Sequence, residues 1–135
     1  ENKRSTSLLV GVISGYSAQV EHLTTLIDPD NGSRWRNLRI EIATVDSFQG
    51  RECDVVVYST VRSNRDRRIG FLKDYRRINV ALSRARDRLV IVGDNVMMEY
   101  ATIGGEENPF TSVLEYMRDH SDECKIIPST LVRLL

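Results

Sequence analysis

The sequence predicts an α/β domain built on a mostly parallel sheet, and three observations predict it. Short apolar, β-branched runs recur along the chain at Leu8–Ile13, Leu38–Ala43, Val55–Tyr58 and Leu89–Val92. Stretches with apolar residues at helical spacing lie between and after them. The resulting order is strand, helix, strand, connection, strand, loop, helix, strand, helices. That alternation lays crossovers over the faces of a parallel sheet.

Taken in order, Glu1–Ser7 is polar and expected to fray. Leu8–Ile13 is the first strand, Ser14–Ser17 a turn, and Ser17 a candidate cap for a helix over Ala18–Ile27 with Val20, Leu23 and Ile27 on its apolar face. Asp28–Ser33 carries Pro, Asn and Gly and is a loop. Leu38–Ala43 alternates apolar residues with Arg39 and Glu41 and is a second strand. Thr44–Glu52 is a polar connection, and Val55–Tyr58 is the most β-branched strand. Val61–Lys73 is an arginine-rich loop. Val96–Ile103 and Phe110–His120 are expected helices around a Gly104-Gly105 break, and Lys125–Ile127 a last short strand.

Tyr75–Asp94 joins two periodicities. Ile78, Ala81, Leu82 and Ala85 fall at i, i+3, i+4 and i+7, one apolar helix face. Arg77 and Arg84, seven apart, align on another face of that helix. Leu89–Val92 then follows as a buried strand closed by Gly93-Asp94. By residue type alone, these arginines are equally a solvated face or a rigid mount for positive charge.

At 135 residues the chain is expected to be one domain, large enough for a real core. Nineteen Lys and Arg balance nineteen Asp and Glu, so total charge points to no partner. Its distribution is uneven. Arg62–Arg88 holds ten basic residues against three acidic, net +7, and Asp94–Cys124 eight acidic against one basic, net −7. A basic segment in a neutral chain makes a local anion site. Cys53 and Cys124 form no CxxC, and with His22 and His120 isolated there is no zinc pattern. Free thiols, no apolar run of membrane-spanning length and no signal-peptide core lead to the expectation of a soluble intracellular protein. There is no GxxxxGKS/T phosphate loop and no GxGxxG after a strand. In parallel α/β sheets function gathers at the carboxyl ends of the strands. That rule points to Ser14–Gln19, Thr44–Glu52, Thr60–Asn64 and Gly93–Asn95.

Three segments together resemble the second RecA-like domain of superfamily 1 helicases, in the branch of the nonsense-mediated-decay helicase and senataxin. Gly11-Val-Ile-Ser-Gly-Tyr-Ser-Ala-Gln19 is similar to the motif IV region, with Ser14-Gly15 where the family often has Thr-Pro. Ala43-Thr-Val-Asp-Ser-Phe-Gln-Gly-Arg-Glu-Cys-Asp54 is similar to motif V. Arg76-Arg-Ile-Asn-Val-Ala-Leu-Ser-Arg-Ala-Arg86 is similar to motif VI, and Ile69–Leu72 also matches the branch. The likeness covers Leu8 to Asp94, with motifs in order.

The resemblance implies a RecA-like, P-loop-NTPase-type three-layer domain without its own Walker A loop. It implies that Arg84 is the catalytic arginine finger, reaching the γ-phosphate of ATP held by a first RecA-like domain. A guanidinium suits that work because it is always charged and forks onto phosphate oxygens. Glu52 matches an acidic residue near the ribose, Gly50 would let backbone approach the nucleotide, and Gln49 and Arg86 are further nucleotide contacts. Arg86 would point elsewhere on the helix and touch phosphate less directly or pair with a carboxylate. Thr44, Ser47 and Arg62 are the implied contacts to the phosphates of single-stranded DNA or RNA. Tyr16 and Gln19 are structural or nucleotide-proximal, and Trp35 either stacks on a base or packs. ATP with Mg²⁺ would be bound mainly by the first RecA-like domain, the chain being half of a motor and a piece of a longer protein. No metal site is expected in the chain itself. Two other readings stay open at this stage. One is a non-catalytic nucleic-acid-binding or regulatory module with a helicase-like fold. The other is a metal-dependent nuclease or phosphatase using Asp46, Glu52 and Asp54.

Overall fold

The computed structural model describes residues 7–129, the side chain of Phe71 excepted; the expected fraying of the amino-terminal residues lies almost wholly outside them. The elements are β1 (Leu8–Ser14), α1 (Ser17–Ile27), β2 (Leu38–Thr44), β3 (Cys53–Ser59), a 3-10 turn at Gly70–Lys73, α2 (Tyr75–Leu82), β4 (Ala85–Val92), α3 (Asn95–Tyr100), β5 (Thr102–Ile103), β6 (Glu106–Glu107) and α4 (Pro109–Asp119). The four long strands form one parallel sheet in the order β2-β1-β3-β4, the expected α/β architecture and a RecA-like one. β5 and β6 make a separate antiparallel hairpin.

Register fixes the two ends of the sheet. Ser14 is level with Thr44 on one side and Ser59 on the other, and Ser59 with Val92. The carboxyl edge is therefore the row Thr44, Ser14, Ser59, Val92. At the amino edge Cys53 pairs with Ala85.

Most of the core lies on one face. Ile13, Val56 and Tyr58 from the sheet meet Phe48, Ile78, Ala81, Met97, Phe110 and Leu114 in one buried cluster. Tyr58 and Phe110 stack with ring centroids 6.4 Å apart. The connection after β2, α2, α3 and α4 all contribute to this face. α1 contacts β1 and β2 and has no buried residue. A right-handed β1–α1–β2 unit puts α1 on the opposite face from the connections that run towards β3 and β4.

The connection from β2 to β3 is the tightest part of the fold. Parallel strands usually need a crossover of a dozen or more residues, and here only residues 45–52 intervene. Phe48 N–H donates to the carbonyls of Thr44 (3.0 Å) and Val45 (3.2 Å), so the segment begins with a turn before it crosses β1. Val45 and Phe48 are buried beneath it. The Phe48 ring lies directly on Gly11, where a Cβ would sit 2.7 Å from Phe48 Cζ and 3.0 Å from Cys53 Sγ.

Caps explain the helix boundaries. The Asp74 carboxylate accepts from the N–H groups of Arg76 and Arg77 at the start of α2, and Asp94 accepts from Met97 N–H at the start of α3. Asn108 caps α4, with Pro109 in its first turn, and its amide donates to the carbonyls of Met98 and Ala101 at 2.6 Å each. Ser17 does not cap α1: the Ncap residue is Tyr16, without a side-chain bond. Trp35 packs, its indole N–H donating to the carbonyls of Ile27 (3.0 Å) and Asp28 (3.2 Å) at the end of α1.

Four further expectations are corrected. α2 stops at Leu82, so Ala85 and Arg86 are in β4 and Arg84 lies in the link between them, not on a helix face. β4 is an edge strand, and Val90 and Val92 are exposed while Leu89 and Ile91 are half-buried. An apolar run alone does not tell a strand covered on both faces from one covered on a single face. The helix after Asp94 ends at Tyr100, and Thr102–Ile103 pairs with Glu106–Glu107 because Gly104 and Gly105, at φ 58° and 87°, turn the chain back on itself. Lys125–Ile127 joins no strand and is exposed.

Gly11→Ala is expected to force Phe48 off the sheet and cost about 1–3 kcal/mol, the usual range for overpacking. Chemical denaturation of the purified chain measures it, with Gly32→Ala, where a Cβ meets nothing within 4 Å, as the comparison of small effect.

Candidate functional site

The residues singled out by sequence fall at opposite edges of the sheet, joined by the 45–52 connection. At the carboxyl edge Thr44 ends β2. Its Oγ1 lies 2.9 Å from Ser47 Oγ and accepts from Ser47 N–H at 3.3 Å. This is a serine–threonine turn in which Ser47 is exposed and Thr44 half-buried. Arg62 follows β3 on the same edge. Its Nε–H donates to the Tyr16 hydroxyl at 2.8 Å, and the guanidinium carbon stands 5.3 Å from the Tyr16 ring centroid. Gly70 gives it room, since a Cβ there would come within 2.7 Å of Arg62 Nη2. The backbone is strained just before it: Val61, a β-branched residue, sits at φ 66°. A shallow open groove of about 490 Å³ lies between Tyr16, Gln19 and the Val61–Asn64 segment. A second, of about 370 Å³, shares Val61, Arg62 and Ser63 and extends to Val92–Asp94.

At the amino edge, Gln49, Gly50 and Glu52 are all exposed. Gly50 has φ 82° and open space where a Cβ would be, so its backbone geometry, rather than crowding, requires glycine. Arg51 folds back over the connection, 2.9 Å from Glu41 Oε2, 3.2 Å from the Ser47 carbonyl and 4.6 Å from the Phe48 ring centroid. Arg84 lies beside this segment, its carbonyl accepting from Cys53 N–H at 2.9 Å. Its guanidinium donates through Nε to the Val80 carbonyl (3.1 Å) and through Nη2 to Ser83 Oγ (3.1 Å). It thereby stands at the negative end of the α2 dipole and shares the Val80 carbonyl with the Ser83 hydroxyl.

Arg86 has a carboxylate partner. Its Nη2 donates to Asp54 Oδ1 at 2.7 Å, and Asp54 Oδ2 accepts from Leu9 N–H at 2.8 Å, tying β1, β3 and β4 together. Asp46 pairs with Arg77 instead, Nε to Oδ1 at 3.1 Å. The structure therefore does not gather Asp46, Glu52 and Asp54 into a cluster, and among the described residues no group of three or more His, Cys, Asp or Glu could hold a metal ion. No helix among them is long and apolar enough to cross a membrane. Burial pushes the Cys53 thiol up, with the Glu41 carboxylate adding to it, so this cysteine is a packing residue rather than a nucleophile.

A family profile described as an AAA domain matches residues 2–96. The chain belongs to this family. It is 50% identical over 97 residues to the DNA polymerase alpha-associated DNA helicase A of Saccharomyces cerevisiae, covering 70% of this chain and 14% of that protein. It is 49% identical over 87 residues to the regulator of nonsense transcripts 1 homolog of Arabidopsis thaliana, covering 63% of this chain and 7% of that one. It is 44% identical over 85 residues to helicase sen1 of Schizosaccharomyces pombe, covering 63% and 5%. These likenesses bear out the resemblance to superfamily 1 helicases of the nonsense-mediated-decay and senataxin branch. The chain spans about a seventh or less of the length of each of these relatives.

At this AAA domain's carboxyl edge the strand-end rule pointed to the segments of Gln19, Ser63, Asn64 and Asp94 but missed Ser59. Ser59 accepts from the Gln19 amide at 3.4 Å, and Ser63 Oγ donates to Asp94 Oδ2 at 2.6 Å. The Asn64 side chain closes its own loop, donating to the Arg68 carbonyl and accepting from Arg68 N–H, both at 2.9 Å. One sequence signal was available. Ser14, Thr44 and the Ser59-Thr60 pair each end an apolar strand with a small hydroxyl residue.

Asp94 joins the two sides of this edge, and its bonds to Met97 N–H, the Ser63 hydroxyl and Val96 N–H hold its carboxyl below the ordinary value. A lowered folded value means that the cap contributes fully above the ordinary carboxylate range, about pH 4. The contribution is lost as pH falls through the lowered value. Asp94→Ala is expected to cost about 1 kcal/mol near neutrality, as lost N-caps do. Asp94→Asn should keep much of the cap. Thermal melts of the three proteins from neutral to acid pH check this, the gap between wild type and Asp94→Asn closing as Asp94 protonates.

Proposed function

We propose that the chain is the C-terminal motor domain of an ATP-dependent superfamily 1 helicase acting on single-stranded DNA or RNA. Residues 1–135 would be its second RecA-like unit, and a first unit would supply the Walker lysine and hold ATP with Mg²⁺. The observation that carries the proposal is that the Arg84 carbonyl, in the α2–β4 link, accepts from Cys53 N–H next to Glu52, at the end of a connection whose other end presents Thr44 and Ser47. The helicase names of the relatives support the same reading.

In this reading the amino edge faces the nucleotide. Arg84 leaves its place at the end of α2 and turns its fork to the γ-phosphate as the two units close. Its two present bonds are part-buried or exposed, so water can replace them as the side chain swings. Glu52 accepts from ribose hydroxyls, and Gln49 and the Gly50 backbone line the approach. Arg86, occupied by Asp54, contributes by holding the edge together. At the carboxyl edge Thr44, Ser47 and Arg62 bind strand phosphates, which positions the strand without reading its sequence.

Arg84→Ala in the full-length protein is the deciding test. A trans-acting arginine finger is worth about 10³–10⁵ in rate, so ATP hydrolysis should fall by orders of magnitude. ATP affinity should change far less, because the charge it meets grows in the transition state. Arg84→Lys should rescue poorly for want of the planar fork, and Arg88→Ala, at an exposed position in β4, should leave most activity. Near wild-type turnover in folded Arg84→Ala would favour a non-catalytic nucleic-acid-binding module, with Arg84 merely an α2 cap.

The isolated chain is expected to show no ATPase above background. It should bind a labelled single-stranded oligonucleotide weakly, with affinity falling as salt rises. Phosphate release and fluorescence anisotropy across a salt series measure the two. Robust turnover, or tight salt-insensitive binding, would count against the assignment.

A further inference from the structure

We infer that Arg77 is a positioning residue that locks the strand-contacting end of the 45–52 connection to the helix leading into Arg84; the inference rests on the function proposed above. Arg77 projects from the first turn of α2. Its Nε donates to Asp46 Oδ1 at 3.1 Å, and its Nη1 lies 3.6 Å from Asp74 Oδ2. Asp74 is also the N-cap of α2. One guanidinium thus ties the helix start to the connection two residues after Thr44 and one before Ser47.

The second tie is at the other end of the same two segments. Cys53 N–H donates to the Arg84 carbonyl at 2.9 Å, immediately after Glu52. α2 runs from the carboxyl edge to the amino edge alongside the connection, and the two are joined at both ends. Between the ties, Phe48 and Ile78 share the buried core. A displacement of Thr44 and Ser47 by a bound strand then cannot leave α2 behind, and α2 ends where Arg84 begins.

Energetics separate this role from a stabilising one. Arg77 and Asp46 side chains are 39% and 63% exposed, and ion pairs that open to solvent add little to stability. The fold rests on the core, not on this bridge. What the bridge adds is relative placement, through a fork that holds two carboxylates from different segments at once. Residues that couple sites without touching either ligand typically shift coupling by about 0.5–2 kcal/mol, so the effect belongs in the response to nucleic acid.

The test uses the full-length protein, with steady-state ATP hydrolysis measured with and without oligo(dT) or oligo(U). Arg77→Ala is expected to lower the ratio of stimulated to unstimulated kcat by about 2- to 30-fold, with KM for ATP and melting temperature little changed. Asp46→Ala should do the same, and the double variant should be no worse than either single, because both remove one bridge. Arg77→Lys should recover part of the ratio. An unchanged ratio in Arg77→Ala would overturn the inference. So would losses that multiply in the double variant, or a melting-temperature drop that accounts for the loss. Arg84→Ala run alongside separates the two levels. If it is inactive while Arg77→Ala behaves as wild type, only the positioning role fails; if it keeps its turnover, the proposed function fails and this inference with it.

Discussion

The close approach of Phe48 to Gly11 is the constraint on which the arrangement of this molecule depends. A seven-residue strand is about 23 Å long. The eight residues between Thr44 and Cys53 must return over that length and pass across β1. Fully extended they reach only about 29 Å, and the turn at Thr44–Phe48 uses part of that. Little slack is left, and the Phe48 ring fills the space between the segment and the middle of β1, where glycine leaves room for it.

From that contact follows the layout of the functional face. A crossover this short, anchored on the sheet by Phe48, has its first residues at the carboxyl edge and its last at the amino edge. Thr44 and Ser47 belong to one, Gln49, Gly50 and Glu52 to the other, and Phe48 between them is anchored in the core. Arg51, bonded to Glu41 and Ser47 and stacked on Phe48, stiffens the segment from outside. α2 runs beside it and brings Arg84 to the same edge as Glu52. The usual rule that α/β function gathers at the carboxyl ends of strands thus describes half of this candidate site. The other half sits at the amino edge, because a short crossover carries it there.

How much of this was legible before the structure differs by element. The four strands were readable from their β-branched runs, and α1 and α4 from helical spacing. The extent of α2 was not. Ala85 continues the apolar period of Ile78, Ala81 and Leu82, but Ser83 and Arg84 turn the chain so that Ala85 pairs with Cys53. Strand pairing overrode a local period that one more turn of helix would have satisfied equally well. The hairpin around Gly104-Gly105 was missed for a similar reason: its strands are two residues each, too short to carry any period.

By itself the sequence determined the chemistry and the class. Apolar periodicity set an α/β sheet, and the motifs holding Glu52, Arg84, Thr44 and Ser47 set which residues carry charge and hydroxyls, since both are local properties of side-chain type and spacing. Only the tertiary structure decided where those groups stand. It gave Arg86 to Asp54, placed Arg84 at the end of α2 rather than on its face, and joined Asp46 to Arg77 across 31 positions of chain. Such partners are set by register and by the path of a crossover. They are distances between segments that no period within either segment encodes.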